Sequence, residues 1–173
     1  MGISLYDASV ACYLQTLGAV AALLDKGATH CAANDIDLND VVETRLHPDM
    51  LPFRFQIVSV AHHSLGAIKG VAAGVSAPPA YAPELDYAAL QNLVAEALEG
   101  LQAYSRDAVE GFEGKDVVFQ LGERKLPFTA ENFLLSFSLP NFYFHAATSY
   151  DVLRMTGVPL GKRDFMGQLR MKH

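Results

Sequence analysis

A chain of 173 residues, 51% hydrophobic and 18% charged, holds enough apolar surface for one core and too much to stay disordered. Thirteen Lys and Arg against nineteen Asp and Glu leave a formal charge of −6, which speaks against a nucleic-acid partner because nothing would neutralise a phosphate backbone. Cys12 and Cys31 lack CxxC spacing, so neither a disulfide framework nor a thiolate metal site is indicated, and a reducing cytoplasm is the expected location.

The N-terminus shows no basic region of a signal peptide, and Tyr6 breaks the myristoylation pattern that Met1-Gly2 would begin. The apolar run from Val10 to Leu24 contains Gln15 and Thr16 and falls short of the roughly 18 residues a membrane span needs, so no membrane partner is expected. Ser4 is placed to cap a first helix, with Asp7 in its first turn. Tyr6, Val10, Tyr13, Leu17, Val20 and Leu24 then recur at three- and four-residue intervals. Lys26-Gly27 supplies a stop, so the pattern predicts helix one over about 5–25. A turn-rich stretch follows, expected to cross one end of the molecule.

Helix two begins near Leu51, after His47-Pro48-Asp49 and Pro52. Leu51, Phe55, Val58, His62 and Leu65 make one apolar stripe, and Phe53, Ile57, Val60 and Ile68 another. Gln56, Ser59, His63, Gly66 and Gly70 form a polar edge between them. Residues 74–83 are rich in breakers and read as a connection. Asp86 caps helix three, carried by Leu90, Leu93, Val94, Ala97, Leu101 and Tyr104. The runs 117–121 and 126–128, separated by Gly122-Glu123-Arg124-Lys125, predict a β-hairpin that needs a surface to pack on. Thr129 caps a short helix, and Pro140 either restarts the chain as helix four or kinks one long helix. The predicted fold class is all-α: a single domain over 1–173, a four-helix bundle in up-up-down-down order, with a small β-hairpin between helices three and four.

Helix four carries the chemistry. At about 100° per residue, Asn141, His145, Thr148 and Val152 share one face with Ser149 beside them, while Asp151 and Arg154 lie toward the opposite side. An amide, an imidazole and hydroxyls turned away from solvent need partners, supplied either by a site or by a satisfied core network. Facing helices of a bundle build metal sites from such inward groups, and His62 or His63 of helix two would supply the second imidazole to His145. His62 is preferred because it lies within an apolar stripe. Thr148, Ser149, His63 and Phe142 complete the expected pocket wall. His30 and His173 read as incidental, and Gly161-Lys162-Arg163-Asp164 as a run that ties the tail down. No nucleophile elbow, phosphate loop, dinucleotide fingerprint or HExxH motif is present.

The segment PNFYFHAATSYDVLRMTGVPLGKRDF, together with the earlier RLHPDMLPFRFQ, resembles an uncharacterised bacterial branch of the DinB-like (DinB/YfiT) superfamily. That resemblance implies a helical bundle, often dimeric, holding a divalent metal (zinc, nickel or iron) through one histidine of helix two and an HxxxH pair of helix four. His145 matches the second histidine of the pair, and Asn141 stands where the first would be. Two readings follow. In the favoured one the chain is a small-molecule binding module with a degenerate metal site around His145. In the alternative it is a divalent-metal-dependent enzyme, of thiol-dependent transferase or hydrolase type, using His62, Asn141 and His145. A homodimer is compatible with both.

Overall fold

The computed structural model describes residues 2–172; the terminal His173 lies outside them. Ser4 Oγ accepts the Asp7 amide at 3.2 Å and opens helix one, Leu5–Ala33. The helix does not stop at Gly27. It continues to Ala33 because Gly27 sits under Tyr87 of helix three, whose hydroxyl donates to the Leu24 carbonyl at 2.8 Å. A Cβ at position 27 would collide with that hydroxyl and stand 3.1 Å from Leu153 Cδ2. The glycine therefore marks a close helix contact, not a terminus. At its full length helix one reaches the length and apolarity of a membrane span, and half of its apolar window is buried inside the fold.

Helix two spans 53–73 in three stretches: α-helix Phe53–Ala61, a π-turn His62–Gly66, and α-helix Ala67–Ala73, closed by Gly74 at φ 74°. Arg54, nearly buried, fastens its start by donating to the Leu85 carbonyl at 2.7 Å and pairing with Glu43 of the short helix Leu38–Glu43 at 2.5 Å. Helix three is Tyr87–Gln102, capped by Asp86. Helix four is continuous from Ala130 through a second π-turn, Phe133–Ser138, into α-helix Leu139–Met155. The widened turn immediately precedes Pro140, which has no N–H to give and whose ring crowds the carbonyl four residues back. This is the single-helix alternative of the two the sequence allows.

The contacts fix the directions. Gln56 meets His145 and Ser138 meets His63, so helices two and four are antiparallel. Arg54 meets Leu85 while Leu65 packs on Gly100, so two and three are parallel. Tyr87 on Leu24 and Glu110 on the Leu5 amide set three against one. Tyr13 on Phe142 and Gly27 on Leu153 set one and four parallel. The order is up-down-down-up, not the expected up-up-down-down. Residues 28–33 of the stretch after Gly27 extend helix one, and the rest, with the helix Leu38–Glu43, crosses one end of the molecule as expected, whereas parallel neighbours two and three require the 74–86 connection to run the length of the molecule.

The predicted hairpin is present as β2 (Asp116–Leu121) and β3 (Arg124–Thr129), with Gly122 at φ 59° in the two-residue turn. A strand the sequence reading misses, β1 (Val75–Ser76), pairs parallel with β2, giving the sheet order β1-β2-β3. Phe119 and Phe128 seat that sheet on Phe133 and Phe137 of the second π-turn. The protein is thus mostly helical with a small mixed sheet, and shorter helices also fill the connections. After helix four the tail forms Lys162–Met166 and lies along helix one, held by Lys26–Asp164 at 2.5 Å and Gln15 donating to the Met166 carbonyl at 2.9 Å.

Gly27→Ala gains about 1 kcal/mol of helix propensity but overpacks a filled site and disturbs the Tyr87 hydrogen bond, so urea denaturation is expected to show a net loss of about 1–3 kcal/mol. An unchanged midpoint would mean that Tyr87 does not rest on this glycine.

Candidate functional site

The two π-turns face each other. Ser138, in the second, donates its hydroxyl to the His63 carbonyl in the first at 2.8 Å, and the Phe137 ring stands edge-on to the His63 ring at 5.9 Å. π-turns leave carbonyls without an i→i−4 partner, and here side chains occupy them: Ser138 on His63, and Asn141 Nδ2 on Phe137 at 2.7 Å. One turn along, His145 Nδ1 meets Gln56 Oε1 at 2.7 Å. Its ring lies nearly parallel to that of His63, 7° between planes and 5.9 Å between centroids. Phe55 and Phe144 close edge-on around it at 6.0 and 5.2 Å.

The Gln56 amide fixes the tautomer. Its nitrogen donates to the Leu51 carbonyl at 2.8 Å, so its oxygen must be the group facing His145. His145 therefore carries its proton on Nδ1 and presents Nε2 as a bare acceptor. Burial pushes the His145 pKa down to about 4. Burial, helped by the neighbouring His62 and His145 rings, pushes that of His63 down to about 3. Both rings are neutral at pH 7, with lone pairs available.

The sequence preference for His62 does not hold in the structure. His63 is buried and faces His145; His62 stands edge-on to His63 at 5.1 Å and lines a separate cleft between helices two and three. The inward side of helix two toward helix four is its polar edge, with Gln56, Ser59 and His63 at 2%, 0% and 6% exposure. Gln56 and His63, seven residues apart, come round to nearly the same angle of an α-helix. Of the Leu51–Phe55–Val58–His62–Leu65 stripe, Phe55 reaches His145, Val58, His62 and Leu65 line the cleft under the crossover, and Leu51 is 43% exposed. Gln56, which sequence reasoning left on that edge without a role, is the missing partner of His145, and its spacing to His63 was the available signal.

The remaining predicted residues serve the helix and core. Thr148 and Ser149 are buried but turn their hydroxyls back to the Phe144 and His145 carbonyls at 2.8 Å each. Phe142 leaves the expected pocket altogether and packs in the core, edge-on to Tyr13 at 5.0 Å. Among the described residues, the buried hydroxyls of Tyr13 and Ser59 have no hydrogen-bond partner. Ser59 lies on the helix face between Gln56 and His63, and burial raises the phenol pKa of Tyr13.

These donors do not fit the divalent-metal centre that the resemblance implies. A catalytic site of that kind takes three protein ligands. Among the described residues no group of three or more His, Cys, Asp or Glu converges on one point. The Gln56 oxygen is engaged by His145 and the Asn141 amide nitrogen by Phe137, leaving two imidazoles without a carboxylate.

The class of fold is now defined: the chain is similar to the crystal structure of a DinB family member from Shewanella denitrificans, with a TM-score of 0.79 at 22% identity over 98% of this chain and 95% of that one. The chain belongs to the DUF1993 family, a domain of unknown function that matches residues 5–166. No functionally curated protein matches it.

Gln56→Leu strands the Leu51 carbonyl and the His145 N–H together, and is expected to cost about 1–3 kcal/mol in denaturant unfolding. A loss below about 0.5 kcal/mol would show that the bond does not form in solution. Stability also depends on pH. His63 and His145 titrate near 6.5 when unfolded but only near 3 and 4 when folded, so their contribution is complete above pH 6.5 and is lost as pH falls through about 4 for His145 and about 3 for His63. The melting temperature is expected to fall across that window, with a shallower slope in His63→Gln than in the parent chain. Equal slopes would contradict the neutral pair.

Proposed function

We propose that the chain is a small-molecule binding protein and that a recess for its ligand forms around His145 between helices two and four. The observation that carries this reading is the Gln56–His145 hydrogen bond, which leaves an oriented, uncharged acceptor beside aromatic walls. Binding sites have this composition: a mainly apolar lining with a few fixed polar groups. Phe144, edge-on to His145, remains 56% exposed, apolar surface that a ligand would cover. The ligand class that suits a bare imidazole nitrogen flanked by rings is a neutral, flat molecule with one hydrogen-bond donor. The unpaired Ser59 hydroxyl supports a further polar contact or a buried water on the same face. A bundle scaffold of rigid helices holds these groups without needing a metal.

Chelator treatment is therefore expected to leave the melting temperature within about 1 °C, whereas a ligand present at 100 times its Kd adds about 2.7 kcal/mol and several degrees. A thermal-shift screen of small hydrogen-bond donors, run beside His145→Phe, tests it. A stabilising compound whose effect disappears in the variant supports the reading. A chelator-induced drop in melting temperature, restored by zinc, nickel or iron, would instead favour the metal-dependent alternative.

A further inference from the structure

The π-turn of helix two presents its two histidines to different places. His63 goes to helix four, while His62 lies at the floor of a cleft of about 350 Å³ between helices two and three, roofed by the Pro79–Leu85 part of the crossover. The walls are mainly apolar and include Val58, Leu65, Leu85 and Leu93. Gly66 makes room for the imidazole, since a Cβ there would stand 3.3 Å from His62 Nδ1, tighter than a side chain tolerates without displacement. Gly100 does the same for Leu65, whose methyl groups lie 2.6 and 2.9 Å from where its Cβ would be. Gly66 thus leaves the histidine its place in the cleft, and Gly100 lets Leu65 of the cleft wall pack against helix three.

The polar groups define the occupant. Burial lowers the His62 pKa and so favours the neutral ring, while a backbone hydrogen bond to Ala77 of the crossover opposes that shift. A neutral imidazole that gives its single N–H to a carbonyl offers the other nitrogen as an acceptor. Lys69 and Glu96 stand at the mouth with opposite charges, so the opening selects neither an anion nor a cation. A volume of this size is at the lower end of small-molecule sites.

We propose that the cleft between helices two and three is a second binding site, distinct from the His145 recess, for a neutral bicyclic or similar aromatic molecule that donates one hydrogen bond to His62. The apolar walls take the ring system and disfavour a charged group, the free His62 nitrogen accepts the hydroxyl hydrogen bond, and the opposite charges of Lys69 and Glu96 give no preference for carboxylates or amines.

Titration of the methyl-labelled full chain with 2-naphthol, followed by NMR, tests this. Saturable shifts are expected at the Leu65, Leu85 and Leu93 methyls. 2-Methoxynaphthalene, which has no donor, and 2-naphthoate, which is charged, should each bind about tenfold more weakly or worse. His62→Phe should weaken 2-naphthol by about tenfold, while His145→Phe should leave it unchanged, which separates this site from the recess. Because the three probes are compared on the unaltered chain, the result does not depend on the variant folding. Absence of saturable shifts at those methyls up to the solubility of 2-naphthol, equal affinity for the methoxy compound, or loss of binding in His145→Phe would each overturn the proposal.

Discussion

The hydrogen bond from His145 Nδ1 to Gln56 Oε1 joins the two helices that carry all the polar side chains of the candidate site, and the Ser138–His63 contact repeats the connection one to two turns away. Between them they set the register of helix four on helix two. A slip of one residue would turn both imidazoles away and leave the Gln56 amide oxygen and the His63 carbonyl without their side-chain partners. Because each donor is matched to one acceptor, the same bonds that hold the helices also decide which ring nitrogen is bare. Packing and chemistry are inseparable at this contact.

The π-turns are what make that geometry available. Each widens a helix by part of a residue and releases carbonyls that side chains then occupy. In helix four the widening also accommodates Pro140. In helix two it separates adjacent histidines, so that one is buried against helix four and the other faces the crossover. Gly66 and Gly100 lack side chains where His62 and Leu65 of that second environment pack.

Much of the fold was legible. Period, caps and breakers placed the long helices, the hairpin and the crossover, because amphipathic spacing and turn chemistry are local properties. Gly27 misled for a definite reason: a glycine that admits a neighbouring helix looks the same in sequence as one that ends its own. Direction order failed with it, since helix one then seemed to be followed by a long connection. The two-residue strand Val75–Ser76 carries no period at all and exists only because β2 offers it an edge. At the site, His145 and the polar edge of helix two were legible as patterns. The choice between His62 and His63 was not, because an apolar stripe reports that a face is covered and not by what. Asn141, Thr148 and Ser149 share the face of His145, but their hydrogen bonds return to their own helix, a preference that spacing cannot reveal.

The account depends on the protonation of one ring, and long-range ¹H–¹⁵N correlation of the histidine side chains between pH 7.5 and 4.5 measures it directly. The structure predicts His145 as the Nδ1–H tautomer with a bare Nε2, uncharged throughout most of that range. A ring protonated on Nε2 alone, or one that gains its second proton near pH 6.5 as a free histidine does, would contradict it.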